Sequence, residues 1–273
     1  MLNNITLGQF YPADSVIHRL DPRVKIAATI LYIVSLFLVN GVVGWVIVIG
    51  FFIFITALAK LPAVMVLKGI RAIWILIVIT AVCNFFFTQA GVVLVHRGVL
   101  TITTTGIHNT VYYTLRLIFL IAGASIMTLT TSPNRLTDGL ESALWPLHRI
   151  GVPVSEIAMM MSIALRFIPI LGEEAEKIKR AQLARGADFD EGGPIKRVRG
   201  LAPILVPLFV SSFRRAEDLG LAMEARCYRG GEGRTKLHPL KYARADYAAY
   251  ALVLAFFAVV IVIHVLKAKG LML

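Results

Sequence analysis

Long apolar segments dominate the pattern of hydrophobic and polar positions along the chain. A helix that crosses a bilayer needs about 20 mostly apolar residues. Five segments approach this length: 24–39, 42–59, 69–88, 107–129 and 246–266. Between the third and the fourth, β-branched residues flank Arg97 and Gly98, which predicts a short hairpin rather than a span. The pattern therefore predicts an all-α membrane protein with about five transmembrane helices.

Composition supports this class of protein. The chain is 58% hydrophobic with a mean hydropathy of +0.77, whereas soluble domains are roughly 45–50% apolar. The net charge is +12, but no basic run is interleaved with aromatic residues, so we expect no nucleic-acid partner. Basic residues at 19–25 and 60–71 flank the first three spans and predict that these segments are cytoplasmic. The protein is therefore expected in the cell membrane, with the lipid bilayer as its surroundings.

One region differs from the rest. Residues 131–246 hold 14 of the 16 acidic residues, all except Asp14 and Asp21. We therefore divide the chain into a first region with four spans, a cytoplasmic domain, and a last span: 1–130, 131–240 and 241–273. Ser132 and Pro133 predict the start of a short helix in the middle region.

Two long helices are predicted in the middle region, and each is apolar first and charged last. One runs from Val154 to about Arg185 and the other from Pro203 to about Arg226. Pro169 and Pro207 are predicted hinges within them. Gly186 is expected to stop the first helix.

The two helix ends share a short pattern. With Arg185 aligned to Arg226, an offset of 226 − 185 = 41, alanine lies one and four residues before each arginine and glutamate nine before. An arginine in a last turn complements the helix dipole, and its planar fork suits bidentate capture of a carboxylate. The alternative is that these arginines only end their helices, because a basic residue followed by glycine is a common helix stop.

Several segments resemble one family throughout the chain. They are "GQFYPADSVIHRLDPRVKI", "MTLTTSPNRLTDGLE", "SIALRFIPIL", "AQLARGADFDEGG", "PILVPLF" and "AMEARCYRGGEGRTK". Together they resemble the transmembrane coupling subunit, the T component (EcfT/CbiQ-like), of energy-coupling-factor vitamin importers. One position departs from the family pattern, since Cys227 stands where glycine or serine is usual.

The resemblance implies partners and roles. Family members join two ABC-type ATPases to a membrane-embedded substrate-binding S component. By carry-over, the residues that dock on the ATPases are Ala184, Arg185, Gly186, Ala225, Arg226 and Cys227. ATP and Mg²⁺ would be bound by the ATPases, so this subunit is expected to be non-enzymatic, with no catalytic residue, cofactor or metal of its own.

The apolar halves of the two helices would then contact the S component. The residues expected there are Met159, Met160, Met161, Leu165, Leu205, Leu208 and Phe209. Methionine-rich surfaces repack readily, which suits a subunit with several partners. Ordinary core packing is an equal alternative for the three methionines.

Two other functions compete with this interpretation. A self-sufficient secondary transporter or channel would need paired broken spans and buried carboxylates near the midplane, and the predicted spans contain almost no acids. An intramembrane enzyme would need a nucleophile–base or metal pair, and none is evident. Arg116 does lie inside the fourth span, where we expect it to pair with polar groups such as Asn84 or Thr80.

Overall fold

The structure is a computed structural model that describes residues 10–87, 93–97, 100–187, 200–231 and 239–269. Its elements follow the chain as α1 (Val16–Arg19), α2 (Pro22–Leu38), α3 (Val42–Ala59), α4 (Ala63–Ala72), α5 (Trp74–Phe87), β1 (Val93–Arg97), β2 (Leu100–Thr103), α6 (Thr104–Thr130), α7 (Pro133–Leu144), a 3₁₀ helix (Trp145–Ile150), α8 (Val154–Ala184), α9 (Ala202–Ala225) and α10 (Arg244–Ala268). The predicted all-α membrane fold is confirmed, and the predicted hairpin is present as β1 and β2.

Packing divides the chain into two compact units. One contains Gly8–Gly139 with Leu240–Leu273, and the other contains Leu140–Pro239. The first, here the transmembrane unit, holds α1–α6 and α10. The second, here the helix-pair unit, holds α8 and α9.

Four helices within the described residues are long and apolar enough to cross a membrane: α3, α6, α8 and α10. Two predictions differ from this set: α2, which covers the predicted first span 24–39, has only 17 residues and is not in it, whereas α8, predicted in the cytoplasmic region, has the length and composition of a span. The pair α4 and α5 makes a fifth if the two count as one bent span. The predicted third span, 69–88, was therefore wrong as a single helix, because the chain bends by 63° between α4 and α5. The two helices differ in character where the chain bends: Lys68 and Arg71 make α4 amphipathic, whereas α5 has no charged residue.

Apolar and aromatic side chains hold the transmembrane unit together. Leu36 of α2 and Val48 of α3 are fully buried, and Val260 of α10 is nearly so. The rings of Phe51 and Phe256 stack with centroids 4.0 Å apart. Such offset aromatic pairs add about 0.5–1.5 kcal/mol beyond the area that they bury.

A polar anchor ties the first residues of α2 to those of α10. The Asp246 carboxylate, 3% exposed, accepts a hydrogen bond from the backbone N–H of Asp21 at 2.8 Å. Its second oxygen accepts from the N–H of Ala243 at 2.7 Å. The Asp21 side chain in turn accepts from the N–H of Arg23 at 2.9 Å and begins α2 as its N-cap. The two helix starts, 225 residues apart in sequence, are therefore joined by one buried carboxylate.

Lys25 and His18 extend this polar network towards α6. The Lys25 ammonium is buried and donates to the carbonyls of Thr130 at 2.8 Å and His18 at 3.3 Å. His18 Nε2 donates to the carbonyl of Tyr11 at 3.0 Å, so Nδ1 accepts from the Ser15 hydroxyl at 2.7 Å. Burial lowers the pKa of His18, which keeps the ring neutral at pH 7.

Arg116 does not pair with Asn84 or Thr80, so that expectation was wrong. Its Nη2 donates to the Tyr112 hydroxyl at 2.7 Å, and the guanidinium lies 4.7 Å from the centre of the Tyr112 ring. Asn84 Nδ2 instead donates to the carbonyl of Thr80 within α5 at 2.9 Å. Aromatic faces attract a cation by their quadrupole. Arg116 therefore finds its partner one turn earlier on its own helix, at an i,i+4 spacing.

The anchor makes a first prediction. Asp246→Ala leaves the buried N–H of Asp21 and the part-buried N–H of Ala243 without their acceptor and should lower the free energy of unfolding by about 2 kcal/mol. Asp246→Asn retains one acceptor oxygen and should lose about half as much. Thermal unfolding of the purified chain in detergent measures both.

Asp14→Ala is the matched control, because the Asp14–Arg19 ion pair is exposed and should contribute less than about 1 kcal/mol. Equal destabilisation by Asp14→Ala and Asp246→Ala would contradict the anchor.

Candidate functional site

The candidate site lies on α8 and α9, the two long helices of the helix-pair unit. Their 31 and 24 residues correspond to roughly 46 and 36 Å. The predicted helix ends near Arg185 and Arg226 are confirmed, since the helices end at Ala184 and Ala225. Pro169 and Pro207 lie inside α8 and α9, and their role as hinges stays a prediction.

Three hydrogen bonds determine the relative direction of the two helices. Near the end of α8, Gln182 Nε2 donates to the carbonyl of Pro203 at the start of α9 at 3.2 Å. In the middle, Arg215 Nη2 donates to Glu174 Oε2, also at 3.2 Å. The N–H of Gly231, beyond the end of α9, donates to Glu156 in the first turn of α8 at 3.0 Å. The contacts run in opposite order along the two helices, so α8 and α9 are antiparallel and their C-terminal ends point in opposite directions.

The end of α8 is closed by a Schellman motif. Arg185 is the C-cap, and Gly186 adopts the left-handed conformation with a φ of 85°. The N–H of Gly186 donates to the carbonyl of Leu183, and that of Ala187 donates to the carbonyl of Gln182, both at 3.0 Å. These two bonds define the motif and satisfy carbonyls that a helix end leaves without partners.

The end of α9 repeats this geometry at every corresponding position. Arg226 is the C-cap, and Cys227 takes the left-handed conformation with a φ of 56°. The N–H of Cys227 donates to the carbonyl of Glu224 at 2.8 Å, and that of Tyr228 donates to the carbonyl of Met223 at 3.1 Å. The shared sequence pattern therefore encodes one helix stop, used twice.

The left-handed backbone at the third position of each motif favours glycine. Glycine enters the left-handed region freely, while a residue with a Cβ is disfavoured there by roughly 1–2 kcal/mol. Gly186 therefore adopts the left-handed conformation without steric strain, whereas the Cβ of Cys227 makes the same conformation strained.

Both arginines are presented to solvent. All six residues predicted to dock on ATPases are exposed: Ala184, Arg185, Gly186, Ala225, Arg226 and Cys227. The arginines that form ion pairs in the described part of the chain are Arg19, Arg23 and Arg215. Arg185 and Arg226 each offer a guanidinium fork between small neighbours, a shape suited to a carboxylate. Their docking role stays a prediction.

The residues predicted to contact an S component lie on the two apolar halves. Four of them are exposed: Met160, Met161, Leu205 and Phe209. The other three, Met159, Leu165 and Leu208, are half-buried. Phe213 at 70% and Val206 at 63% extend the exposed apolar surface on α9. Because α8 and α9 are antiparallel, the two apolar halves lie on opposite sides of the Glu174–Arg215 contact and form two surfaces. Large exposed apolar patches mark sites of protein or lipid contact, so these surfaces are available for a partner, whose identity stays a prediction.

Sequence reasoning missed two contacts of this site. The first joins Glu156 to Gly231, where the backbone approaches so closely that a Cβ on Gly231 would lie 2.7 Å from that of Ser155. The second joins Glu174 to Arg215. The sequence held a signal for the second, because these residues are separated by the same 41 positions as the two motif arginines.

Comparison with known proteins now defines the class. The CbiQ family, described as a cobalt transport protein, matches residues 13–237. The chain is 54% identical to the "Energy-coupling factor transporter transmembrane protein EcfT" of Acidaminococcus fermentans over 257 residues, which cover 94% of this chain and 96% of the relative.

Two further relatives agree. The EcfT protein of Clostridium kluyveri is 50% identical over 91% of this chain and 93% of its own length. That of Heliobacterium modesticaldum is 50% identical over 95% and 97%. The fold and these matches define a multi-pass transmembrane component of a transporter. The chain belongs to the CbiQ/EcfT family of energy-coupling factor transporter proteins, as its sequence resemblance predicted.

The repeated cap makes a second prediction. Cys227→Gly removes the strain at the left-handed position and should slow exchange of the Tyr228 amide about fivefold, because about 1 kcal/mol is regained. Gly186→Cys should accelerate exchange of the Ala187 amide by a similar factor. Hydrogen–deuterium exchange of the peptides containing these amides measures both effects.

Cys227→Ser separates the backbone effect from the thiol, since it keeps a Cβ and removes the sulfur. It should leave exchange unchanged. Slower exchange in Cys227→Ser, equal to that in Cys227→Gly, would show that the thiol and not the backbone conformation governs this end.

Proposed function

We propose that the protein is the non-catalytic T component of an ECF-type ABC importer for a vitamin or another micronutrient. It couples ATP binding and hydrolysis by two cytoplasmic ATPases to movement of a membrane-embedded S component. The observation that carries the proposal is the pair of identical helix stops, each presenting an exposed arginine between small residues. Two equal docking ends suit two ATPase subunits of similar shape.

Electrostatics supports docking at these ends. The last carbonyls of a helix carry partial negative charge, and a C-cap arginine compensates it. When the guanidinium binds a carboxylate in a groove of a partner, both charges lose water, and a bidentate geometry recovers the cost best. The small flanking residues let the partner's backbone come close to the helix end.

The apolar halves of the helices supply the other contact. Met160 is 59% and Phe209 62% exposed, and aromatic residues and methionine are enriched in the cores of protein interfaces. An S component that presents apolar faces fits these two surfaces. In this account α8 and α9 lie on the cytoplasmic side, and ATP and Mg²⁺ are bound by the ATPases and not by this chain.

A secondary transporter remains the second candidate because of one observation, the 63° bend between α4 and α5. Discontinuous helices are a feature of substrate sites in such transporters. The segment 63–87 contains no acidic residue, however, so it lacks the carboxylates that such sites use for cations. Uptake by the chain alone in liposomes, without ATPases, would favour this candidate.

The proposal predicts the effect of reversing both docking charges. We expect Arg185→Glu with Arg226→Glu to reduce copurification of the coexpressed ATPase pair at least about tenfold, because a buried charge pair becomes a repulsion. The measurement is the amount of ATPase that copurifies per membrane-inserted chain.

Arg180→Glu with Arg229→Glu is the matched control. Both residues are exposed and lie outside the motifs, so the same change in net charge should leave copurification intact. Equal binding of the ATPases by wild type and by the motif variant would refute the docking assignment. No binding even by wild type would refute the proposed function.

A further inference from the structure

An approximate two-fold symmetry relates α8 to α9. The two Schellman motifs correspond residue by residue under an offset of 41 positions. The central contact joins Glu174 to Arg215, and 215 − 174 is again 41. A two-fold axis exchanges each residue of α8 with the residue 41 positions later on α9. In an antiparallel pair, two residues exchanged in this way lie opposite each other only at the axis itself. The axis therefore passes through the Glu174–Arg215 contact.

The arms on either side of this contact are equal. Arg185 lies 185 − 174 = 11 residues beyond Glu174, and Arg226 lies 226 − 215 = 11 residues beyond Arg215. At 1.5 Å per residue each arm is roughly 16 Å long. Displacements of equal size and opposite direction at the two ends would turn the pair about this contact without shifting it.

The residues at the centre break the symmetry, because their charges are opposite and not identical. Around it the corresponding residues are identical: alanine at 175 and 216, and glutamate at 176 and 217. At the contact itself, Glu173-Glu174 corresponds to Arg214-Arg215. Identical charged residues facing each other across a two-fold axis would repel, whereas the opposite signs attract.

The chemistry of the contact suits rotation. A single N–H···O bond of 3.2 Å between half-exposed side chains, 38% and 27% exposed, restrains the position of one helix along the other. By itself it does not fix the crossing angle, as interdigitated side-chain ridges do, because the Coulomb attraction depends on distance and hardly on direction. A change in the angle would break the flanking bonds of Gln182 to Pro203 and of Gly231 to Glu156, each a single hydrogen bond.

We propose that Glu174 and Arg215 form the pivot of the α8–α9 pair. They are positioning residues, which hold the two helices in register while the ends that carry Arg185 and Arg226 move. The inference rests on the proposed function, since it gives the mechanical centre for motion that the ATPases would impose.

The test uses the whole complex of this chain, its ATPase pair and an S component with its substrate, reconstituted in liposomes. The quantity measured is substrate taken up per ATP hydrolysed. Glu174→Arg and Arg215→Glu each turn attraction into repulsion and should lower this ratio about fivefold. Copurification of the ATPases should remain as in wild type, since both motif arginines are intact.

The charge-swapped double variant, Glu174→Arg with Arg215→Glu, restores an attractive pair and should return the ratio to within about twofold of wild type. Glu173→Arg and Arg214→Glu are matched controls, one position away on the exposed side of the same helices, and should leave the ratio unchanged. If a reversal does not insert, Glu174→Gln and Arg215→Gln remove the attraction without adding repulsion, and a loss of about twofold is expected.

An unchanged ratio in the single variants, or a double variant that fails to restore the ratio, would contradict the pivot. The proposed function would still hold in that case, provided that the wild-type complex takes up substrate. Absence of ATP-dependent uptake in the wild-type complex would instead overturn the proposed function itself.

Discussion

One backbone conformation, the left-handed residue that closes both α8 and α9, defines the helix-pair unit. Because Gly186 and Cys227 turn out of the helix in this way, the following N–H groups bond back to the last turn. The helix ends are therefore defined points and not frayed segments, and each arginine is held at a fixed distance from the middle of its helix. Without that definition, neither two equivalent docking ends nor equal arms about Glu174 and Arg215 would exist.

The two units use polar groups in contrasting ways. In the transmembrane unit, Asp246 and Lys25 are buried, and backbone groups satisfy them. Breaking such contacts leaves uncompensated polar groups, so the arrangement is rigid. In the helix-pair unit, Glu174 and Arg215 are half-exposed and joined by one hydrogen bond, which holds the helices in register and leaves their crossing angle free to change. The first arrangement suits a fixed scaffold, and the second suits a part that changes its geometry during transport.

Much of the fold could be predicted from local signals. Apolar length identified most spans, and the ends of α8 and α9 followed from Gly186 and from the matched position of Cys227. The bend between α4 and α5 could not be predicted in this way, because neither proline nor glycine marks Ile73 and the neighbouring apolar run conceals the break. Tyr112, the hydrogen-bond partner of Arg116, lies four residues earlier on α6, so the i,i+4 spacing was a signal that the sequence held; the contact with Phe37 of α2 depends on how α6 packs. Glu174 and Arg215 carry no local signal in the sequence; only their separation of 41 residues, the same as that of Arg185 and Arg226, distinguishes them from the other charged residues of the two helices.

The distance between the two motif ends tests the central claim most directly. Spin labels at Leu183 and Glu224, which correspond under the 41-residue offset, would lie roughly 30 Å apart, within the range of pulsed dipolar spectroscopy. Cys83→Ser and Cys227→Gly remove the native thiols. In the complex with the ATPase pair, the account predicts that the distance changes by several ångströms between the nucleotide-free and ATP-bound states. Identical distance distributions in both states, with the ATPases still bound, would contradict it.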